Sequence, residues 1–101
     1  MAEFSKQGTL AVTGTVLYTG GPGVPLLTKL TSLRFNNPLA YTLILKRYNA
    51  STTTTVTLYS LTLSAGDTVT DNLTYALEPG DQLIAESNIA GTTYYAYGID
   101  Y

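Results

Sequence analysis

The sequence predicts an all-β fold: a single jelly-roll-like β-sandwich of seven to eight short antiparallel strands, spanning residues 1–101. Three observations carry that expectation. Apolar residues recur with a period of two, and no segment keeps helical spacing. Turn signals built from Gly, Pro, Asn and Asp interrupt the chain roughly every ten residues. Strand-forming types dominate, with nine Tyr among the aromatics and many Thr and Leu.

From Thr9 to Tyr18, Leu10, Val12, Val16 and Tyr18 alternate with threonines, which predicts one half-buried strand with Gly14 at a bend. Gly20 to Pro25 (GGPGVP) reads as a loop. Thr31, Leu33 and Phe35 share one face of the next strand and Ser32 and Arg34 the other. Asn36-Asn37-Pro38 supplies the following turn, because proline disfavours helix at the residue before it. Ala40 to Tyr48 is apolar on both faces at Leu43-Ile44-Leu45, as a central strand requires, and Lys46 and Arg47 point to opposite faces. Asn49 to Thr55 reads as a solvated hairpin loop leading into a strand from Thr55 to Leu63. That strand changes phase, which calls for a bulge near Ser60 or a move between sheets.

An internal echo follows. Leu63-Ser64-Ala65-Gly66-Asp67-Thr68-Val69 and Leu77-Glu78-Pro79-Gly80-Asp81-Gln82-Leu83 share the pattern L-x-[AP]-G-D-x-[VL]. Each Gly-Asp reads as a turn, and an up-and-down pair of strands between them would put both turns at one end of the sandwich. Gln82 to Ser87 is a further strand. The last runs from Thr92 to Tyr101, with Tyr95, Tyr97, Ile99 and Tyr101 on one face and Tyr95 and Tyr97 read as core.

Composition narrows the chemistry. The chain has no Cys and no His, so no disulfide, thiolate nucleophile, imidazole base or Cys/His zinc site can be built. A length of 101 residues suits one domain. Only 12% of residues are charged, which argues against disorder. No apolar run approaches the roughly 20 residues of a membrane helix, and MAEFSKQG, with Glu3 and no apolar core, predicts no secretory signal. The absence of cysteine suits a reducing cytosol. The motifs Asn49-Ala50-Ser51 and Asn72-Leu73-Thr74 read as chance sequons.

Charge is unevenly placed. Residues 1–50 hold all five basic groups against Glu3, a net +4, and residues 51–101 hold six acids and no base, −6. Either the halves interleave and neutralise each other, or the molecule has a basic and an acidic side suited to packing copies together. Five scattered bases make no phosphate track, so nucleic acid is not an expected partner; nor is a membrane. Arg34, Lys46 and Arg47 are candidate residues for the basic side of an interface, and Glu78, Asp81 and Glu86 for the acidic side. Tyr94 and Tyr101 join them, since tyrosine offers area and a polar tip at low entropic cost. Asp67 and Asp81 raise the question of a metal. Their sparse spacing favours instead carboxylates that accept backbone hydrogen bonds in their turns. No residue cluster supports catalysis, and no cofactor or metal is expected.

One resemblance adds to this. LYT before a Gly/Pro turn, SLRFNN, V-T-L-Y, TLSAGDTV and YALEPGDQLIAES together resemble small virion proteins of tailed bacteriophages, over Leu17 to Ile99. The resemblance implies a non-enzymatic protein, made in the host cytoplasm and resident in the virion. It would decorate and stabilise the capsid as a homo-oligomer, a trimer by comparison, with the major capsid protein or another virion protein as partner. A neck or tail adaptor or fibre-base subunit is the alternative within that class. A carbohydrate-binding module, with Tyr94 and Tyr101 on an open face, is the alternative outside it.

Overall fold

The computed structural model describes residues 2–20 and 27–101, so the predicted loop beyond Gly20 lies outside the described residues. Among those described, nine strands form: β1 (Ala2–Thr9), β2 (Thr15–Thr19), β3 (Thr28–Asn36), β4 (Tyr41–Asn49), β5 (Thr54–Leu63), β6 (Thr68–Asp71), β7 (Tyr75–Leu77), β8 (Gln82–Ser87) and β9 (Thr93–Asp100). Sheet I has the order β1-β9-β3-β6, with β7 also on β3; sheet II has the order β2-β8-β4-β5. All ladders are antiparallel.

The pairing follows one rule. The first strand pairs with the last, the second with the one before it, β3 with β6 and β7, and β4 with β5. The chain is thus a long hairpin rolled over on itself, which is the jelly roll. Strands β6 and β7 meet β3 in one running register, Asp71 opposite Leu33 and Tyr75 opposite Leu30. They are a single strand position interrupted at residues 72–74, so the nine strands occupy the eight positions of that topology.

The core lies between the sheets. Leu30, Leu33, Phe35, Leu77 and Ala96 of sheet I meet Leu17, Leu43, Leu45, Leu83 and Ala85 of sheet II, all at 1% exposure or less. Strand β4 sits between β8 and β5, which explains its apolar residues on both faces. Strand β5 stays in one sheet. Leu45 is opposite Tyr59 and Lys46 opposite Thr57, so Leu58 is the bulged residue, just ahead of the expected position.

Three expectations are corrected, and one strand is additional to them. The segment Thr9 to Tyr18 is not one strand: a turn in which the Gly14 N–H donates to the Ala11 carbonyl carries the chain from sheet I to sheet II. Val12 is left exposed on that turn, and Leu17, beside a bulge between Val16 and Tyr18, is the residue that β2 buries. The N-terminal residues form β1, a strand that lacks an alternating signal because only Phe4 along it is half-buried. The two Gly-Asp turns lie at opposite ends of the sandwich, because β6 and β7 run in the same direction along β3. The Asp67 turn abuts Asn37, whose carbonyl accepts from the Gly66 N–H, whereas the Asp81 turn abuts Gly20.

The last correction is the phase of β9. Its core side is Thr92, Tyr94, Ala96 and Gly98, and Tyr95 and Tyr97 point outward. Small residues are needed on the inner side because Phe4 and β3 close over it. A Cβ at Gly98 would stand 2.5 Å from the Lys29 carbonyl oxygen and 2.6 Å from Phe4 Cζ. Overpacking of this kind costs about 1–3 kcal/mol. Gly98→Ala should therefore lower the urea midpoint, and Phe4→Ala in the same chain should recover part of the loss. A Gly98→Ala midpoint equal to wild type would contradict the close approach.

Candidate interaction surface

Polar side chains tie the two sheets at three places. Tyr18 of β2 stacks on Phe4 of β1, with ring centroids 4.0 Å apart, and donates its hydroxyl to Asp100 Oδ2 of β9 at 2.8 Å. Thr28 donates to the other oxygen of Asp100 at 2.7 Å. Tyr41 of β4 donates to the Asp67 carbonyl at 2.7 Å. On the far side Tyr59 of β5 and Tyr75 of β7 both donate to Asp71 Oδ2, at 2.8 and 2.6 Å, and the Leu73 N–H donates to Oδ1 at 2.9 Å. Asp71 is 7% exposed, and its turn onto Leu73 is where β6 gives way to β7.

Burial, and then the hydrogen bond to the neighbouring carboxylate, push these phenols up: Tyr18 to about 12, and Tyr59 and Tyr75 well above their usual range. Below pH 10 both the folded and the unfolded chain hold these protons, so their titration adds no pH dependence to stability. Above pH 10 the unfolded chain releases them at the ordinary tyrosine value of about 10 while the folded chain keeps them. The unfolded state then binds fewer protons and stability falls. The urea midpoint should decline from pH 10 toward pH 12, and less steeply in Tyr59→Phe; parallel slopes in the two proteins would sink this account.

The nominated charges meet within one chain. Lys46 Nζ lies 2.7 Å from Glu86 Oε1 on the outer face of sheet II, a half-exposed pair of the kind worth about 0–1 kcal/mol. Arg47 Nη2 lies 2.7 Å from Asp81 Oδ2, whose side chain is 4% exposed. The basic and acidic halves therefore interleave at these four residues. Glu78 is exposed at the turn, and its backbone N–H donates to Asp81 Oδ2 at 3.1 Å. Asp67 and Asp81, at opposite ends, each accept backbone N–H groups in their own turns, from Ser64 and from Glu78. Among the described residues every buried side-chain N or O has a hydrogen-bond partner.

Arg34 alone of the nominated cations stands on an open face. On the outside of sheet I it lies opposite Tyr95, which lies opposite Gln7, and the next row is Thr9, Thr93, Asn36 and Thr68. These residues line a shallow depression of about 500 Å³ with Tyr95 40% exposed. It offers an aromatic ring, a guanidinium, an amide and hydroxyls, and no carboxylate to partner them in acid–base work. Tyr94 faces inward instead, packed on the core beside Gly8. Tyr101 is 47% exposed, with Lys29 Nζ 5.2 Å from its ring centroid.

Nothing in the sequence pattern marks the two lateral sides of the sandwich. Among the described residues, six of the nine exposed large apolar side chains belong to the edge strands or the segments beside them: Val56, Leu58, Leu61 and Leu73 at the β5–β6 side, Val12 and Val16 at the β1–β2 side, Val16 on the outer face of sheet II. On the first side the sheets part over a groove of about 500 Å³, lined by Tyr59, Leu61, Val69, Asp71 and Leu73.

No family model matches the sequence, and no curated protein matches it. A solved structure from work stating that Bacillus endospore appendages form a novel family of disulfide-linked pili is similar in fold. It has a TM-score of 0.50 and 11% identity over 96% of this chain and 81% of that chain.

Proposed function

We propose that the chain is a non-enzymatic structural subunit that works as a homo-oligomer, a cyclic trimer, decorating and stabilising the shell of a phage particle by contact with its major capsid protein. The observation that supports this reading is the placement of exposed apolar side chains at two opposite lateral sides, where soluble monomers keep such surface scattered. The fold-level likeness to a protein of disulfide-linked pili agrees with a structural role. With no cysteine in these 101 residues, joints made by this stretch of chain are not disulfide links. A decoration protein adds buried area across joints between capsomers, and many weak contacts sum over the shell.

Quantitative mass spectrometry of purified particles tests this. One copy, or one-third of a copy, per major capsid protein is the expected ratio. A handful of copies would move the chain to the neck or tail, and absence from particles would overturn the assignment. The exposed Tyr95 ring beside Arg34 and Gln7 favours a second reading, a carbohydrate-binding module. Saturable glycan binding lost in Tyr95→Ala would establish it.

A further inference from the structure

We propose that copies join head to tail by sheet addition, the β5 edge of one pairing with the β2 edge of the next; this rests on the homo-oligomer reading above. Strand parity allows this joint. Each sheet has four strand positions, all antiparallel, so its two edge strands run in opposite directions. A second copy set beside the first in the same orientation presents β2 antiparallel to β5, and β1 antiparallel to β6 and β7. Both sheets can continue across the joint.

Both edges are weakly protected, each by a single bulge, at Leu58 in β5 and beside Leu17 in β2. Edge strands usually carry charges or proline that discourage pairing. Thr54–Leu63, ten residues, has neither, and Thr15–Thr19 has neither. Among the described residues each pairs on one side only. Their free N–H and C=O groups are the strongest unmet interaction that a strand can offer.

Apolar surface lies at both edges of the joint. Leu61 and Leu73 line the groove on one side, with Val56 and Leu58 exposed further along β5, and Val12 projects from the turn on the other, near Val16 on the outer face of sheet II. The joint is limited by the shorter partners, five residues of β2 and eight of β1, about 17 and 26 Å long, and the molecule's shortest extent is 19 Å. It then buries about 400 Å² per partner, a weak joint that forms with rising concentration and gains from repetition. A self-contact of β5 on β5 would leave Val12 and Val16 in water. The head-to-tail contact covers both sides, and it closes into a ring such as the trimer or continues as a filament, depending on the rotation per step.

Sedimentation velocity over a concentration series tests the joint with two double variants. Val56→Lys/Leu58→Lys blocks the β5 side, and Val12→Lys/Val16→Lys blocks the other; all four positions are exposed, so melting should stay near wild type. Wild type should grow beyond the dimer, and each variant alone should be monomeric. An equimolar mixture should stop at the dimer, since only one usable β5 edge and one usable β2 edge remain. Normal assembly of Val12→Lys/Val16→Lys would overturn the head-to-tail pairing in favour of β5 on β5, and normal assembly of both variants would overturn edge pairing altogether. A wild type that stays monomeric throughout would overturn the homo-oligomer reading with it, whereas assembly surviving both variants leaves that reading standing.

Discussion

Asp81→Ala should remove about 2–4 kcal/mol of stability, since hydrogen bonds to a charged group each contribute about 1.5–3 kcal/mol and the Arg47 left behind is 29% exposed. The carboxylate accepts from Arg47 Nη2 at 2.7 Å, from the Ala50 N–H at 2.9 Å and from the Glu78 N–H at 3.1 Å. It thereby joins the end of β4 to the turn before β8. The same corner is closed by backbone: the Gly20 N–H donates to the Asp81 carbonyl and the Gly80 N–H to the Gly20 carbonyl. Against the usual margin of about 5–15 kcal/mol, this loss should lower Tm by roughly 10–25 °C. Asp67→Ala is the internal control. Asp67 occupies the same position of the same motif, but it is exposed and its carboxylate accepts one backbone N–H, from Ser64 at 3.2 Å. Its loss should cost about 1 kcal/mol or less. Thermal melts of the two variants decide the point, and equal losses would show that burial is not what separates the two turns.

That pair of turns also shows what a sequence can and cannot convey. Local chemistry is legible: both Gly-Asp segments form the turn, with Gly66 at φ 81° and Gly80 at φ 86°, where a side chain would be strained. Their placement is not legible, because it depends on β6 and β7 sharing one edge of β3. Strands β4 and β8 were readable because one face of each is buried by alternation. Strand β1 was unreadable because burial hardly constrains its residues. In β9 the tyrosines misled, since a Tyr ring serves a core or an outer face equally well. The inward phase is marked instead by the small residues Ala96 and Gly98. Charge asymmetry between the halves was a true feature of the chain, but its meaning came from pairs 34 and 40 residues apart, Arg47 with Asp81 and Lys46 with Glu86. The jelly roll makes such distant pairs neighbours, since β4 lies against β8. The lateral sides were invisible for the same reason: which strands are edges is a property of topology.

Asp71→Ala is expected to cost about 3 kcal/mol, and the way the loss distributes over its partners identifies the cause. Two phenols, Tyr59 from sheet II and Tyr75 from sheet I, donate to one carboxylate oxygen, and hydrogen bonds to a charged group each contribute about 1.5–3 kcal/mol. Tyr59→Phe alone leaves Asp71 with Tyr75 and the Leu73 N–H, and Tyr75→Phe leaves it with Tyr59, so each single change should cost about 1 kcal/mol. Removing both leaves a buried carboxylate held by the Leu73 N–H alone, and the pair should cost more than the sum of the singles. Asp71→Ala made in the Tyr59→Phe/Tyr75→Phe background should then cost little, because the carboxylate has already lost the partners that stabilise it. A double-mutant cycle by urea unfolding reads this coupling directly. Additive losses would mean that Asp71 acts through its backbone turn onto Leu73 and that the phenols are bystanders. Strong coupling would mean that one carboxylate fastens the β5 edge to the opposite sheet. Tyr59 lines the groove beside Leu61 and Leu73, so the same fastening sets the width of the side on which the proposed sheet addition depends.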